Sequence, residues 1–445
     1  MLTPFAYQTK AADAIVASSK AVYNIFEPGL GKSCVALQVA RAKRARRVMI
    51  VCPVSAIYAW KLEIQKFWPE HPPVTILNTV GDAQALARDG VFIVTYGLLS
   101  RSESLVDWVR QATPMDLSIL DEAHALKNAA ANRTRAVLAE LRPNLGLAHP
   151  MSATPAPNHA GELWPILRAL RPDLIVNGAG RPMKQNEFEE RYCEVKQIRV
   201  AGGRMQRVIV GSRNVEELRS RLKGFFLRET KANVLKDLPP LDFVTLPVQV
   251  PDPAYFQTIG QLIESGEDDD DVLEHAKMVA TSTRYRELGM AKAPMVAEYV
   301  RDMLDGGVRQ VVVWAVHHDV IDYLHKHLLD YGIAIIDGRT PQANRPRWIE
   351  KFVQGEARVF LGQIQAGGTA ITLSGGKLPC RDAIFAETSF SPSDNYQAAC
   401  RIHRIGQRDA VLARFASAAE TYDDRIQEIL ARKSRDFTEL FEGAI

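Results

Sequence analysis

The chain has 445 residues, of which 47% are hydrophobic and 24% charged, and its formal net charge is +3. This length exceeds one ordinary core and predicts two or three folded units. The composition excludes a disordered chain, and no apolar run reaches the roughly 18 to 20 residues that cross a bilayer. So small a net charge does not demand a nucleic-acid partner, and any DNA binding must come from a local groove.

The cysteines are scattered and odd in number, without Cys-x-x-Cys spacing: Cys34, Cys52, Cys193, Cys380 and Cys400. This pattern favours a reducing compartment over a disulfide framework or a structural zinc site. The N-terminus lacks the basic start and apolar stretch of a secretory signal. We therefore expect a cytoplasmic protein without membrane association. The compact form favours a bacterial or viral source, and a eukaryotic protein would be nuclear.

Short apolar runs alternate with helical patterns in two parts of the chain, which is typical of parallel sheets covered on both faces. The first series of predicted strands lies at 22–26, 48–52, 91–95, 117–120 and 145–151. The second lies at 310–316, 333–336, 358–361, 383–386 and 411–415. The sequence thus predicts an α/β fold with two tandem lobes, 1–170 and 291–445, joined by a mainly helical insertion and linker, 171–290.

Two features interrupt the predicted insertion. A Gly-rich turn is expected at 202–203, and the acidic run at 267–271 is expected to form an exposed, mobile loop. A basic cluster at 41–47 lies at the predicted end of the helix that follows the first strand. Positive charge complements the dipole of a helix C-terminus, so this cluster needs no binding function.

A glycine-rich loop follows the first predicted strand and opens a helix at Lys32. It reads Glu27-Pro-Gly29-Leu30-Gly31-Lys32-Ser33. A strand, a tight glycine turn and a helix start together aim backbone N–H groups at phosphates. Lys32 would reach the β- and γ-phosphates, and the Ser33 hydroxyl would bind Mg²⁺. The standard pattern has a glycine where Phe26 stands, so the match by itself is only moderately specific.

Three further patterns suit a nucleotide site. Gln8, upstream of the first strand, offers a donor and an acceptor that match the hydrogen-bonding edges of adenine. Asp121 and Glu122 end a predicted strand, where the first could hold Mg²⁺ and the second could deprotonate the attacking water. Ser152 and Thr154 end another strand and could bond the catalytic carboxylates. Each of the strand-end pairs, found alone, is also compatible with an ordinary exposed turn.

Near the end of the chain, Arg401 and Arg404 stand three residues apart, flanked by Gln397 and Gln407. We expect both arginines in the last turns of a helix. A basic helical turn is usually a solvated face. The phosphate loop upstream makes this segment a candidate arginine finger instead.

The joint pattern resembles helicase superfamily 2 and, within it, the Swi/Snf-type DNA translocases. The resemblance rests on the order of Tyr7-Gln8, Gly29–Ser33, Asp121-Glu-Ala-His124, Ser152-Ala-Thr154 and Arg401-Ile-His-Arg-Ile-Gly-Gln407. Segments 51–60, 95–99, 211–214, 227–231 and 234–239 also match, with spacing most like the annealing-helicase branch. The sequence departs from the family at Phe26, Glu229, Ala370 and Cys400. None of these changes removes a group that hydrolysis requires.

The resemblance implies two RecA-like lobes of the P-loop NTPase type and ATP and Mg²⁺ as cofactors. ATP would lie between Lys32, Ser33, Asp121 and Glu122 on one wall and Arg401 and Arg404 on the other, with Gln8 and Gln397 also binding nucleotide. Coupling and DNA contact would fall to residues at the strand ends: Ser55, Tyr96, His124, Ser152, Thr154, Arg339, Gly367, Gly368 and Thr369.

The function that this implies is an ATP-dependent DNA translocase or remodelling motor, stimulated by duplex or branched DNA with little sequence specificity. A replication or repair protein is a possible partner. One alternative is a helicase that separates DNA or RNA strands. Another, from a different class, is a nucleotide-switched DNA-binding adaptor with negligible turnover.

Overall fold

The computed structural model describes residues 3–199, 205–253, 255–256, 271–367, 371–374, 380–421, 423–424, 426–427 and 440–441. The chain divides into two compact units. Unit 1 comprises Met1–Val195, Ile209–Val234 and Arg435–Ile445, and unit 2 comprises Lys196–Val208 and Leu235–Ser434. The predicted boundaries at 170 and 290 stay a prediction.

Unit 1 is built on a seven-stranded parallel sheet. Its strands are β1 (Tyr23–Asn24), β2 (Arg47–Cys52), β3 (Val74–Ile76), β4 (Gly90–Thr95), β5 (Leu117–Asp121), β6 (Leu147–Met151) and β9 (Phe226–Leu227), in the spatial order β3-β4-β2-β5-β6-β1-β9. Every residue of β2 and β4 is buried, because a parallel sheet is covered on both faces. Strands β7 (Cys193–Arg199) and β8 (Met205–Ser212) form a separate two-stranded sheet.

Helices cover the sheet of unit 1. They are α1 (Ala6–Ala17), α2 (Lys32–Ala42), α3 (Ile57–Phe67), α4 (Tyr96–Leu99), α5 (Glu103–Gln111), α6 (Asn132–Arg135), α7 (Trp164–Leu170), α8 (Gln185–Tyr192), α9 (Val215–Arg221) and α10 (Lys231–Val234). Short 3₁₀ turns include Val54–Ala56, Val80–Ala87, Ala123–Leu126 and Ala160–Leu163, and Ala136–Glu140 is a single π turn. One apolar core runs through this unit from Tyr23 to Phe226 and includes Phe441.

Unit 2 contains a six-stranded parallel sheet in the order β10-β15-β14-β11-β13-β12. Its strands are β10 (Leu241–Pro247), β11 (Val311–Ala315), β12 (Ile333–Ile336), β13 (Val359–Gln363), β14 (Asp382–Phe385) and β15 (Val411–Ser417). Its helices are α11 (Asp271–Asp305), α12 (His318–His327), α13 (Arg345–Val353), α14 (Ile364–Gly367) and α15 (Pro392–Ala399). Separate apolar clusters cover its two faces.

The predicted α/β fold with two parallel sheets is confirmed, and each of the ten predicted strands is present with boundaries shifted by a few residues. The sequence did not predict β3, β9 or β10, nor the β7–β8 pair, so strands as well as helices occupy the segment between the lobes. The predicted turn at 202–203 and residues 267–270 of the acidic run lie outside the described residues. Within the described part of the chain, no helix is both long and apolar enough to cross a membrane.

Candidate nucleotide-binding site

The phosphate loop joins β1 to α2 in the way that the sequence predicts. Gly29 and Gly31 have φ angles of +92° and +77°, in the left-handed region that favours glycine. A Cβ atom on Gly31 would lie 2.4 Å from the side-chain nitrogen of Gln8. Gly31 caps α2, whose first residues are Lys32 and Ser33. The loop therefore presents the N-terminus of an eleven-residue helix, which suits an anion.

Gln8 lies against this loop and is buried. Its Nε2 donates to the carbonyl of Leu30 at 3.0 Å, and its Oε1 accepts from the backbone N–H of Phe5 at 3.0 Å. The Tyr7 hydroxyl donates to the same carbonyl of Leu30 at 3.1 Å. Burial raises the pKa of Tyr7 to about 12, so this hydroxyl keeps its proton. Nε2 of Gln8 thus holds α1 to the loop while Oε1 caps the start of α1, and adenine recognition by Gln8 stays a prediction.

Lys32 is held by the backbone of the residue that departs from the standard loop. Its Nζ donates to the carbonyl of Phe26 at 3.0 Å, and the N–H of Phe26 donates to Asn24 Oδ1 at 3.1 Å. The side chain of Phe26 is fully buried. Phe26, where the standard pattern has glycine, thus meets Lys32 Nζ through its backbone carbonyl, a bond that does not depend on the side chain.

Asp121 ends β5 and is fixed from two sides. The indole N–H of Trp60 donates to Asp121 Oδ2 at 2.8 Å, and the Tyr96 hydroxyl donates to the Asp121 carbonyl at 2.8 Å. Burial and then the charge of Glu122 raise the pKa of Asp121 to about 7, although Lys32 acts in the opposite direction. Burial and the neighbouring charge of Glu122 therefore both disfavour ionisation of Asp121.

Glu122 sits in the left-handed region, with φ of +48°, an unusual conformation for a residue with a side chain. The Ser152 hydroxyl donates to Glu122 Oε2 at 3.1 Å and accepts from the N–H of Thr154 at 3.1 Å. His124 Nδ1 lies 2.8 Å from Ser152 Oγ and 3.2 Å from Glu122 Oε2. Since the single Ser152 proton goes to Glu122, His124 must donate from Nδ1.

These contacts set the charge of Glu122. Burial raises its pKa, but the hydrogen bond and charge of His124, the charge of Lys32 and the bond from Ser152 outweigh burial and lower the pKa to about 2. Glu122 is therefore ionised at neutral pH, held as an acceptor by residues from two strand ends. The structure brings together the predicted Glu122, His124, Ser152 and Thr154, as the sequence interpretation required.

The sequence analysis expected both arginines in the last turns of a helix, and the structure corrects this expectation. Helix α15 ends at Ala399, and Arg401 and Arg404 lie in the turns that follow. Arg401 is buried and donates from Nη1 to the carbonyl of Ile371 at 3.1 Å. Arg404 donates from Nε to the carbonyl of Cys400 at 3.1 Å and from Nη1 to Thr372 Oγ1 at 2.5 Å. The guanidinium groups of both arginines thus contact the segment 371–372.

The remaining predicted site residues have mixed environments. Gln397 is buried on α15. Arg339 pairs with Asp322 and Asp337, with hydrogen bonds of 2.6 to 2.9 Å. Gly367 is buried at the end of α14, where an added Cβ would lie 3.1 Å from the ring of Trp314.

Ser55 lies in the turn after β2. Tyr96 is buried and its hydroxyl donates to the backbone carbonyl of Asp121, so the expected contact of this side chain with DNA is corrected to a contact within unit 1. Gly368 and Thr369 lie outside the described residues.

Sequence reasoning missed Trp60 as the partner of Asp121. Trp60 and Ile64 stand four residues apart on α3, and both are buried, so the helical spacing predicts a core tryptophan. Its indole N–H needs a hydrogen-bond acceptor when buried. This need for an acceptor was the only signal in the sequence. It does not identify the acceptor, which lies 61 residues away in the chain.

Comparisons with known proteins agree with this geometry. The SNF2-related domain model matches residues 24–254, and the helicase conserved C-terminal domain model matches residues 295–406. The chain is 28% identical over 423 residues to the bovine "DNA annealing helicase and endonuclease ZRANB3", covering 92% of this chain and 38% of that protein.

It is 30% identical over 420 residues to the *Caenorhabditis elegans* homologue of "SWI/SNF-related matrix-associated actin-dependent regulator of chromatin subfamily A-like protein 1", covering 92% of this chain and 57% of the relative. The chain thus spans only 38% and 57% of the length of these two relatives. A solved "Sulfolobus solfataricus SWI2/SNF2 ATPase core in complex with dsDNA" aligns over 99% of this chain and 93% of its own, with 19% identity and a TM-score of 0.45.

The predicted resemblance, including that to the annealing helicases, is confirmed by the two domain models and the two relatives. The first domain model alone spans more than half of the chain. This chain therefore belongs to the SNF2-related family of helicase-like, nucleotide-using proteins.

Proposed function

We propose that this chain is an ATP-dependent motor that moves along duplex DNA. The observation that carries the proposal is the fixed group of Glu122, His124 and Ser152 beside the phosphate loop of unit 1. A protein that only binds nucleotide has no need for an ionised carboxylate held by two strand ends. Hydrolysis needs it, because a water must be oriented and deprotonated.

The residues present suit ATP with Mg²⁺. Ser33 offers a hydroxyl and Asp121 a carboxylate, and Mg²⁺ prefers such hard oxygen ligands. Among the described residues no cluster of three or more His, Cys, Asp or Glu side chains could hold a metal alone. That fits a cation that takes one or two protein oxygens and completes its shell with phosphate and water. When bound, Mg²⁺ would neutralise charge on the β- and γ-phosphates.

The protein's own residues would then divide the work. The backbone from Gly29 to Ser33 binds phosphate, and Lys32 leaves the Phe26 carbonyl to meet it. Glu122 orients the attacking water and accepts its proton, while Ser152 and His124 keep that carboxylate in place. Arg401 and Arg404 supply positive charge to the transferring phosphoryl group, a contribution that is typically about 10³ to 10⁵ in rate.

The names of both relatives describe action on DNA or chromatin, and we extend DNA binding to this chain. Contacts at strand-end loops would fall on phosphates, which gives affinity and little sequence preference. Arg339 would have to exchange part of its pairing with Asp322 for a phosphate contact. Branched DNA and a replication or repair partner belong to this same proposal.

The test is ATP hydrolysis measured with no polymer, duplex DNA, single-stranded DNA and RNA. The Glu122→Gln variant serves as the blank, since an amide cannot accept the water's proton. We expect the strongest stimulation with duplex DNA. Strongest stimulation by RNA would overturn the translocase proposal, and a blank-like rate in every tube would favour the adaptor.

A second measurement separates translocation from unwinding. Displacement of a third strand from a DNA triplex reports movement along the duplex without strand separation. We expect ATP-dependent triplex displacement and no release of a strand from a plain duplex. Release of that strand would favour the strand-separating helicase.

A further inference from the structure

Strands β7 and β8 form a basic hairpin. Only residues 200–204 separate them, too few for a parallel crossover, so the two paired strands run antiparallel. Residues 193–212 contain four basic residues and one acidic residue. The resulting charge of +3 equals that of the whole 445-residue chain. A solvated surface usually mixes both signs, so this concentration of one sign points to an anionic partner.

Each strand of the hairpin carries an exposed cationic side chain. Lys196 and Arg207 are exposed, one on each strand, and Met205 is 58% exposed. The sequence adds Arg199 and Arg204 to the same twenty residues. Lys196 and Arg207 are long cationic side chains, one on each strand, and each can contact a phosphate.

The root of the hairpin is anchored in unit 1. Cys193 is fully buried, and a Cβ atom on Gly161 would lie 3.0 Å from its sulfur. The N–H of Ala160 donates to Ser212 Oγ at 2.9 Å, and the N–H of Arg213 donates to the Tyr192 carbonyl at 3.0 Å. The first residue of β7, Cys193, and the last residue of β8, Ser212, are therefore both held against the 3₁₀ turn Ala160–Leu163.

That turn is itself tied to the segment that follows Glu122. Glu162 is nearly buried and accepts from Asn158 N and Nδ2 at 2.9 and 2.6 Å. Lys127, directly after the turn Ala123–Leu126, pairs with Glu162 at 2.9 Å. A continuous set of contacts thus joins the hairpin root to the catalytic carboxylate segment.

We propose that the β7–β8 hairpin is a nucleic-acid-binding arm that contacts the phosphate backbone of duplex DNA through Lys196 and Arg207. The identity of the polymer rests on the proposed function. Exposed strands also carry charge to prevent association between copies of a protein, and the experiment separates that role from DNA binding.

The test compares the double variant Lys196→Gln/Arg207→Gln with the wild type. Binding of a labelled duplex is measured by fluorescence anisotropy, without ATP, between 50 and 200 mM salt. Each lost phosphate contact lowers the slope of log affinity against log salt by about 0.9. Two lost contacts should lower it by about 2, so the affinity advantage of the wild type shrinks roughly tenfold across that range.

The matched control is Arg309→Gln/Lys326→Gln. It removes the same charge from two exposed residues of unit 2 that lie before β11 and at the end of α12. Its slope should stay that of the wild type. Hydrolysis without polymer should be unchanged in both variants, which shows that they fold.

Equal salt slopes in the hairpin variant and the wild type would overturn the proposal. An equal decrease of the slope in the control variant would also overturn it. Reduced solubility with unchanged DNA binding would assign the charges to edge protection and likewise overturn it. The motor proposal fails separately, if no polymer stimulates hydrolysis by the wild type. The salt slope still decides the role of the hairpin in that event, because the binding measurement needs no turnover.

Discussion

Arg401 and Arg404 are close in sequence but are held in different ways. Arg401 is 5% exposed, its guanidinium donates to the Ile371 carbonyl, and its own carbonyl accepts from Leu373 at 3.0 Å. Arg404 is only partly buried and bonds to Thr372 and Cys400. Cys400, where the family has glycine, is buried at the end of α15 and supplies a carbonyl to Arg404. Arg401 is thus the more deeply buried of the two arginines, and Arg404 is the more exposed.

We expect the two alanine variants to separate these roles. Arg401→Ala should lower the free energy of unfolding by about 1.5 to 3 kcal/mol, since it removes a buried charged donor. Arg404→Ala should leave the unfolding midpoint nearly unchanged and keep ATP binding, but reduce hydrolysis by about 10³. Urea unfolding, nucleotide titration and steady-state kinetics measure the three quantities. An equal loss of nucleotide affinity and rate in Arg404→Ala would contradict a transition-state role.

At the residue scale, the sequence predicted which polar side chains share the site better than it predicted the residues that hold them in place. Asp121, Glu122 and Ser152 were recognisable because strand ends of a parallel sheet meet at one edge. Tyr96 was misinterpreted, because a loop motif does not show whether an aromatic side chain turns inward. Its burial depends on the Asp121 carbonyl on a neighbouring part of the sheet, and such long-range pairings leave no local pattern.

At the scale of elements, the central strand β6 carries a buried histidine. His149 is fully buried, and its Nδ1 donates to the carbonyl of Val22 at 3.1 Å. Its Nε2 has no hydrogen-bond partner in the described part of the chain. Burial lowers the pKa of His149 from 6.5 to about 4, although the bond to Val22 acts in the opposite direction. The folded protein therefore keeps this imidazole neutral.

This neutral histidine predicts a loss of stability in mild acid. The unfolded state takes up the proton near pH 6.5 and the folded state only near pH 4, so stability falls as pH decreases through that window. Between pH 7 and pH 5 the loss from His149 should be roughly 2 kcal/mol. His149→Asn keeps a donor for Val22 and removes the titration. Its urea midpoint should thus depend less on pH than that of the wild type, and parallel pH curves for the two proteins would contradict this account.

Strands with a strong local sequence pattern were predictable, and strands that depend on pairing with a neighbouring strand were not. Strands β2 and β11 are continuous runs of buried apolar residues, which is the pattern of a covered parallel sheet. Strand β10 is largely exposed, with Asp242 and Pro247 in a seven-residue element, and it exists because it pairs with β15 along its whole length. Strand β9 has only two residues and is fixed by pairing with β1.

At the scale of the whole molecule, each unit has an apolar core of its own. Composition and the two series of apolar runs predicted this duplication, because each sheet has to bury both of its faces. The assignment of particular segments to a unit was not predictable. Lys196–Val208 belongs to unit 2, although the residues before and after it belong to unit 1. Arg435–Ile445 belongs to unit 1, although it follows a segment of unit 2. Only tertiary contacts decide these assignments.

Separate cores allow nucleotide binding to be located by hydrogen exchange. The phosphate loop, Asp121 and Glu122 all belong to unit 1, so a non-hydrolysable ATP analogue with Mg²⁺ should stabilise unit 1 directly. At a ligand concentration of about 100 times Kd, that stabilisation is about 2.7 kcal/mol. Amides of β1, β5 and β6 that exchange through opening of unit 1 should therefore exchange about 100-fold more slowly.

Without DNA, amides of β11 and β13 in unit 2 should change much less, because their opening does not release the loop that holds the phosphates. Lys32→Ala provides the control, since it removes the cation that would meet the phosphates and leaves the core of unit 1 complete. Its exchange pattern should be the same with and without the analogue. Slowing confined to unit 2, or slowing in Lys32→Ala equal to that in the wild type, would contradict a nucleotide site at Gly29–Ser33.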